Sequence, residues 1–186
     1  MTEPESQPLA HLLGLPLHHS ALLRKLRAWG VDTPEKLIVL AAQRGCHHYQ
    51  TGLRAPAIPI QCCSNEELAV ALLSPNNPYH PRLIRAGAQL LSGPDIRPER
   101  LVHEALKERC APVLWHIVKA AQRVEAENPT WRHLAELIAR RFKRLKPVKA
   151  GVLPTEGRFC VETGFLARKR RQCIHHQWLR PTRTGS

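Results

Sequence analysis

Residues 20–45, SALLRKLRAWGVDTPEKLIVLAAQRG, decide the fold class of this chain. Ser20 is a residue type that caps helix N-termini, and Gly30 suits the position just after a helix ends. The apolar residues between them recur at helical spacing, at Leu22, Leu23, Leu26 and Trp29. Thr33 is a second N-cap, and Pro34 follows it at the first helical position, where its missing N–H costs no hydrogen bond. The segment therefore predicts two short helices joined by a tight turn.

Five further helices are predicted by the same signals, at 64–74, 81–93, 98–111, 112–127 and 128–147. Ser64 and Glu67 have the spacing of a capping box, and Gly87 allows a neighbouring helix to approach closely. Since no sequence period is evident, a compact bundle is favoured over a solenoid-like stack of helix pairs. The expected fold class is mainly helical, a compact bundle of six to seven short helices with a C-terminal β-hairpin.

The hairpin is predicted in the stretch after the last helix, where the apolar pattern changes to a period of two. Phe159 and Trp178 are interpreted as packing residues rather than as platforms for base stacking. A four-residue loop, Arg168–Arg171, pairs Val161 with Trp178 and collects the large apolar groups on one face. A five-residue loop would pair Val161 with Gln177 and split that face, so the four-residue loop is favoured.

The predicted organisation has four parts: a loosely ordered N-terminus at 1–19, a helical domain at 20–146, a linker and basic-tipped hairpin at 147–180, and a tail at 181–186. The first residues, MTEPESQPLA, lack the basic start and apolar run of a signal peptide. The sequence has no run of about 18 apolar residues, so no membrane span is expected. The resulting expectation is a cytoplasmic protein with reduced cysteines and no membrane partner.

Charge is distributed unevenly along the chain, which carries a formal net charge of +13. Residues 1–140 hold sixteen Lys/Arg and thirteen Asp/Glu, whereas residues 141–186 hold twelve and two. Such a basic C-terminal quarter favours a polyanionic partner, and nucleic acid more than a membrane surface. The alternative is a solvated basic tail without a ligand.

Two groups of basic residues are the candidate nucleic-acid contacts, one after the last helix and one at the hairpin tip. Together they are Arg141, Lys143, Arg144, Lys146, Lys149, Arg168, Lys169, Arg170 and Arg171. Cations favour a helix C-terminus through the macrodipole, but this explains only one or two of them. We expect contacts to the phosphates of DNA or RNA rather than to base edges, with a strong dependence on salt.

Two groups of cysteine and histidine residues raise the question of a metal site. Cys160 and Cys173 lack a CxxC knuckle, and the favoured hairpin register separates them by about 20 Å, too far for one zinc ion. The other group also lacks ligand spacing, and it comprises Cys46, His47, His48, Cys62 and Cys63. Buried thiols with surface imidazoles are the favoured interpretation of that group, so neither a metal nor a cofactor is predicted.

No catalytic residues are predicted. The sequence contains no G-x-S-x-G, P-loop, H-E-x-x-H or dinucleotide-binding glycine pattern. His103, His116 and His133 fall on separate predicted helices. Glu104 and Glu108 are flanked by basic residues, as on a solvated charged face. A non-enzymatic protein is therefore expected, and a metal-dependent enzyme that uses the Cys/His groups is the alternative.

Residues 22–42 carry a pattern of the form L-x-x-x-G-[IV]-x-T-x-x-x-L, formed by Leu26, Gly30, Val31, Thr33 and Leu37. The pattern resembles the helix–hairpin–helix or SAM-like modules of DNA-binding proteins, and it is confined to this part of the chain. The resemblance implies a surface for DNA or for a protein partner. The chain departs from the nucleic-acid-binding versions because it lacks a second glycine, whose N–H would approach a phosphate.

The predicted function is that of a non-enzymatic, nucleic-acid-associated accessory protein, which binds phosphate backbone through its basic C-terminal part. The alternative is a helical adaptor for protein–protein interaction without nucleic acid contact, in which the hairpin adds a strand to a partner's sheet. A lone hairpin is only marginally stable in water, so it must pack on the helices or on a partner.

Overall fold

The computed structural model describes residues 7–49, 58–145, 147–163 and 175–182. This part of the chain contains eight α-helices: α1 (Leu9–Leu13), α2 (Ala21–Ala28), α3 (Pro34–Gln43), α4 (Asn65–Leu72), α5 (Pro81–Leu91), α6 (Pro98–Lys107), α7 (Ala111–Val124) and α8 (Pro129–Arg141). It also contains 3₁₀ turns at His47–Tyr49, Ile60–Cys62 and Glu156–Arg158, and the antiparallel strands β1 (Cys160–Thr163) and β2 (His175–Trp178). The predicted fold class is confirmed, and α2 to α8 are the seven predicted helices. Within the described ranges, no helix is both long and apolar enough to cross a membrane.

The predicted helix caps are in place. At α2, α3 and α8 the predicted cap side chain accepts a hydrogen bond from a backbone N–H of the first turn, and these residues are Ser20, Thr33 and Asn128. At α4, Ser64 Oγ accepts from the Glu67 N–H at 3.2 Å, while the Glu67 carboxylate accepts from the Ser64 N–H at 2.8 Å. Each cap satisfies N–H groups that a helix start leaves unpaired. Local sequence therefore determines where these helices begin.

Helix α4 is the centre of the bundle. It packs against α2, α3, α5 and α6, and every side chain from Leu68 to Leu73 is fully buried. A Cβ atom at Gly87 of α5 would lie 2.7 Å from Cδ2 of Leu73. The glycine therefore allows α5 to approach α4 more closely than a larger residue would, as the sequence predicted.

Residues 7–19 are the described part of the N-terminus, for which loose order was expected over residues 1–19, and they contain a helix that was not predicted. Helix α1 belongs to the core, because Leu9 and Ala10 are buried. The Leu9 N–H donates to the Asn77 carbonyl at 2.9 Å, which ties α1 to the turn before α5. This contact joins residues far apart in the chain, so the local sequence around α1 does not reveal it.

The burial of Trp29 also differs from expectation, since its side chain was predicted to lie on the buried face of its helix. Its side chain is 51% exposed. The reason is that α2 ends at Ala28 and Trp29 occupies the C-cap position, where the helical spacing no longer directs it to the core.

The two strands pair one residue away from the predicted register, so that prediction is wrong. Cys160 lies opposite Trp178 and Val161 lies opposite Gln177, which is the pairing that was attributed to a five-residue loop. Phe159 explains the difference, because its φ of −102° and ψ of −3° place it at the end of a 3₁₀ turn and outside the strand. Its ring therefore reaches the core without following the strand alternation on which the predicted register depended.

The base of the hairpin is part of the bundle core. Trp178 is 1% exposed, and its ring centroid lies 5.5 Å from that of Trp131 and 5.1 Å from that of Phe159. The indole N–H of Trp178 donates to the Ala88 carbonyl at 3.1 Å. The predicted packing roles of Phe159 and Trp178 are thus confirmed.

After β2 the chain continues as a strap, residues 179–182, that crosses the end of α5. Gln89 Nε2 donates to the Arg180 carbonyl at 2.9 Å. The Thr182 N–H donates to the Gly45 carbonyl at 3.0 Å, just beyond α3. The strap therefore connects the C-terminal part of the chain to two helices of the bundle.

Candidate nucleic-acid interface

The basic segment, defined as residues 141–149, follows the end of α8. This helix was predicted to continue to Pro147 but ends at Arg141, because Phe142 leaves helical geometry with a φ of −117° and a ψ of 85°. The Phe142 N–H still donates to the Ile138 carbonyl at 2.9 Å. The last helical turn is therefore closed before the chain turns away from the helix axis.

Apolar residues anchor the basic segment to the body at regular intervals. Phe142, Leu145 and Val148 are half-buried and pack against the core. The described cationic side chains of the segment are exposed, and they are Arg141, Lys143, Arg144 and Lys149. The segment is thus held at three points, while these four described cations face the solvent.

These four cations make no hydrogen bond or salt bridge with any residue that the structure describes. Arg140, one position earlier, lies 3.8 Å from the Glu136 carboxylate with both side chains exposed, and such a pair contributes little. The segment itself contains no Asp or Glu. The macrodipole of α8 favours cations in its last turn, which includes Arg140 and Arg141 but not the other three. Their charge is therefore available to an external anion.

The remaining predicted contacts lie outside the described residues, and they are Lys146, Arg168, Lys169, Arg170 and Arg171. The described part of the hairpin ends at the backbone pair of Thr163 and His175. The role of the tip stays a prediction.

Arg180 uses positive charge differently, although it lies in the same C-terminal quarter. Its Nη2 is 2.8 Å and 2.9 Å from the two carboxylate oxygens of Glu125. The same carboxylate accepts from Trp131 Nε1 at 2.9 Å and from Asn128 Nδ2 at 2.8 Å. This network joins the strap to the connection between α7 and α8. The charge of Arg180 is therefore balanced by a carboxylate within the fold.

The cysteine and histidine group around residue 46 follows the favoured interpretation. Its thiols are buried and its imidazoles are exposed, and the residues are Cys46, Cys62, Cys63, His47 and His48. Burial raises the pKa of Cys46 to about 12. Burial also raises the pKa of Cys63 to about 12, although the nearby Arg44 guanidinium acts in the opposite direction. Thiols with such pKa values stay protonated at neutral pH and are poor nucleophiles.

The described ranges contain no group of three or more His, Cys, Asp or Glu side chains that could hold a metal ion. In the hairpin, Cys160 is half-buried and burial raises its pKa, while Cys173 lies outside the described residues. His116 Nε2 lies 2.8 Å from the Pro154 carbonyl oxygen, and His133 Nε2 lies 2.8 Å from the Glu99 carboxylate. Each of these two histidines therefore has a hydrogen-bond partner within the fold.

Glu108 is buried, so the expectation of a solvated charged face is wrong for this residue. It is 4% exposed, and its Oε1 accepts from the Leu22 N–H at 3.0 Å in the first turn of α2. Its Oε2 lies 3.4 Å from His18 Nε2. The partial positive charge of the helix N-terminus and the imidazole offset the cost of burying the carboxylate. Sequence reasoning missed this role because the two partners precede Glu108 by 86 and 90 residues.

No protein-family model, no curated protein and no solved structure matches this chain. In the segment that resembles a helix–hairpin–helix module, Leu26, Val31 and Leu37 are buried and Gly30 has a φ of +82°. These residues hold the turn between α2 and α3, and the resemblance to DNA-binding modules stays a prediction.

Proposed function

We propose that this protein is a non-enzymatic accessory protein that binds the phosphate backbone of nucleic acid through its basic segment. The observation that carries the proposal is a set of exposed cations, without a counterion among the described residues, on a segment that the core anchors: Arg141, Lys143, Arg144 and Lys149. Anchoring reduces the conformational entropy that the segment loses when it binds. Fixed cations along one stretch of chain are suited to a row of phosphates.

The apolar residues of the basic segment favour a nucleic acid over a membrane surface. Membrane-binding segments present a cationic face together with an apolar face that enters the lipid. Here Phe142, Leu145 and Val148 pack against the core of the same molecule. The outward face is thus cationic without large apolar groups, which supports an electrostatic contact with a polyanion.

The test is the binding of the full-length protein to a short DNA duplex and to a single-stranded oligonucleotide, between about 50 and 200 mM salt. The triple variant Arg141→Ala, Lys143→Ala, Arg144→Ala removes three exposed cations. We expect the slope of log K against log salt concentration to become shallower by about 2 to 3, because each phosphate contact contributes close to one. Binding should weaken equally for all base sequences.

The matched control is Lys36→Ala, Lys107→Ala, Lys119→Ala, which removes the same net charge from α3, α6 and α7. It should bind nearly as the wild type does, since screening limits the reach of distant charges. The proposal is wrong if the wild type does not bind at about 50 mM salt, or if both triple variants lose the same affinity.

The hairpin tip is part of the same proposal as a second set of phosphate contacts. The role of the tip is tested separately by a variant in which four residues are replaced by alanine: Arg168, Lys169, Arg170 and Arg171. An additional loss of affinity beyond that of the triple variant assigns the tip to the interface. The affinities for RNA and DNA of equal length then decide between the two nucleic acids.

The packing of the hairpin on the helices removes one reason for the adaptor alternative. That alternative began from the need of an isolated hairpin for a supporting surface. The helices of the same chain supply that surface, because Phe159 and Trp178 are buried in the core. A partner's sheet is therefore not required to hold the hairpin.

A further inference from the structure

The chain at 7–10 pairs with the turn at 75–79, which precedes α5, and this pairing is the N-terminal clasp. The Leu9 N–H donates to the Asn77 carbonyl at 2.9 Å, and two further backbone hydrogen bonds of 2.7 and 2.9 Å join the same two segments. The clasp holds α1 on the bundle. The position of α1 therefore depends on the conformation of the turn before α5.

His80 follows this turn directly and caps α5. Its Nδ1 accepts a hydrogen bond from the Arg82 N–H at 3.3 Å, and its carbonyl accepts from the Leu83 N–H at 3.0 Å. Pro81, at the first helical position, has no N–H to satisfy. The backbone N–H groups among the first three residues of α5 are therefore both bonded to His80.

An imidazole cap differs from the usual Ser, Thr, Asp or Asn cap because it responds to pH. Nδ1 can accept a hydrogen bond only in the neutral ring that carries its proton on Nε2. Protonation turns Nδ1 into a donor, which then faces the Arg82 N–H. The partial positive charge of the helix N-terminus also opposes a cationic ring at this position. The side-chain cap therefore exists only while His80 is neutral.

The surroundings of His80 favour the neutral ring. Burial, and after it the charge of Arg82, lower the pKa of His80, whereas the carboxylate of Glu35 on α3 acts in the opposite direction. The adjacent titratable residue on the turn is Tyr79. The stability that the cap contributes is therefore complete above the ordinary histidine pKa of about 6.5, and it is lost as the pH falls through the lower pKa of the folded state.

We propose that His80 is an acid-sensitive switch, whose protonation opens the first turn of α5 and releases the N-terminal clasp. The connection between the two is short, because the residue before His80 is Tyr79, whose N–H donates to the Gln7 carbonyl at 2.9 Å. A change in the backbone at His80 therefore displaces a donor of the clasp. Since Leu9 and Ala10 are buried, release of the clasp exposes apolar surface in acid. This switch lies in the helical body and goes beyond the proposed function.

The test is a pH titration of the full-length protein between about pH 5 and pH 8, a range in which most carboxylates stay ionised. The ring nitrogens of His80 are followed by long-range ¹H–¹⁵N correlation. Hydrogen exchange at the amides of Leu9, Tyr79 and Arg82, corrected for the intrinsic rate at each pH, follows the clasp and the cap. We expect the neutral ring to carry its proton on Nε2. All three amides should lose protection by about fivefold as the ring is protonated, the factor expected for the loss of one helix cap.

His80→Asn is the decisive variant, because asparagine supplies a cap acceptor that does not titrate. The protection of the same three amides should then stay constant over the whole pH range. His80→Ala removes the acceptor and should show the low protection at pH 8 as well. The matched control is His103→Asn, which removes an exposed imidazole from α6 and should follow the wild type.

A proton on Nδ1 of the neutral His80 ring would overturn the proposal from the wild type alone. An equal loss of protection in His80→Asn would also overturn it, because another group would then control the clasp. A loss at Arg82 with Leu9 and Tyr79 unchanged would show that the cap titrates without acting on the clasp, which contradicts the switch.

Discussion

The basic segment at 141–149 and the strap at 179–182 lie in the same positively charged quarter of the chain, yet they use charge in opposite ways. In the basic segment, Lys143 and Arg144 are exposed and have no counterion among the described residues. In the strap, Arg180 contacts both carboxylate oxygens of Glu125. In the basic segment the positive charge stays available to an external anion, whereas in the strap the charge of Arg180 is balanced by a carboxylate within the fold.

This difference shows that a charge count overstates the size of a binding surface. What decides the role of a basic residue is whether the fold brings an acidic residue to it. Glu125 lies 55 residues before Arg180, so the pairing depends on the tertiary structure. The same quarter of the chain also supplies Phe159 and Trp178 to the core. It is therefore not a tail that can be removed without effect on the helices.

The largest expected effect on the free energy of unfolding comes from a substitution of Trp178, at the base of the hairpin. Trp178→Ala removes a buried ring that packs on Trp131 and Phe159, and it leaves the Ala88 carbonyl without its indole donor. The free energy of unfolding should fall by about 3 to 5 kcal/mol. Urea unfolding followed by far-ultraviolet circular dichroism measures this change.

Trp29→Ala is the control for that experiment, because its side chain is 51% exposed. It should lower the free energy of unfolding by less than about 0.5 kcal/mol. Equal stability of the two tryptophan variants would show that the hairpin base is not part of the cooperative core.

The next largest loss of stability is expected from a substitution at Gly45, where the strap contacts the end of α3. Gly45 has a φ of +92°, and a Cβ atom there would overlap the carbonyl oxygen of Thr182. Gly30 has a φ of +82° but is open to solvent at the Cβ position. Gly30→Ala should therefore cost only the backbone strain of about 1 to 2 kcal/mol. Gly45→Ala should cost more, because it also displaces the strap.

The difference in free energy of unfolding between these two alanine variants isolates the contribution of the strap. Urea unfolding of both variants measures it, and hydrogen exchange at the Thr182 amide locates it. If both variants unfold at the same urea concentration, the contact between Gly45 and Thr182 contributes nothing to stability.

The helices could be predicted from the sequence because their signals are local. Ser20, Thr33 and the Ser64–Glu67 capping box each act within three residues of the helix start. The basic segment was visible for the same reason, since it is a run of Lys and Arg with few acids nearby. The burial of Phe159 and Trp178 followed from their size and apolar character.

The register of the hairpin and the long-range contacts of Glu108 and Arg180 could not be predicted in this way. The register depended on whether Phe159 belongs to the strand, and its backbone geometry is decided by the preceding 3₁₀ turn. The partners of Glu108 and Arg180 lie far away in the sequence. The hydrogen bond from Asn76 Nδ2 to the His18 carbonyl joins residues that are 58 positions apart. A local pattern carries no information on such contacts.

Acid should destabilise the packed body while leaving the basic segment unaffected, because that segment has no carboxylate. Burial alone would raise the pKa of Glu66, but hydrogen bonds from backbone N–H groups, including that of Arg97, and the charge of Arg100 outweigh it and lower the pKa. The unfolded chain therefore takes up protons at a higher pH than the folded protein does. The ionised Glu66 carboxylate therefore adds to the free energy of unfolding. Its contribution is complete above the ordinary carboxyl pKa of about 4.3 and is lost as the pH falls through the lower pKa of the folded state.

Urea unfolding measured between about pH 3 and pH 6 should show this loss of stability with acid. Glu66→Gln should reduce the dependence on pH, since it removes one of the groups that titrate. Glu127→Gln is the control, because the Glu127 side chain is 97% exposed, and it should follow the wild-type curve. An unchanged curve for Glu66→Gln would contradict the assignment.

The smallest expected effects on the free energy of unfolding come from single arginine substitutions. These substitutions also test directly whether the basic segment and the strap use charge differently. Arg180→Ala removes the Nη2 group that contacts both carboxylate oxygens of Glu125, whose side chain is 16% exposed, and should lower the free energy of unfolding by about 1 kcal/mol. Arg144→Ala removes an exposed cation and should change it by less than about 0.5 kcal/mol. For nucleic acid binding at low salt the order should reverse, because Arg144 has a free charge and the charge of Arg180 is already neutralised. A loss of binding in Arg180→Ala equal to that in Arg144→Ala would mean that net charge, and not the absence of an internal counterion, determines which arginines bind.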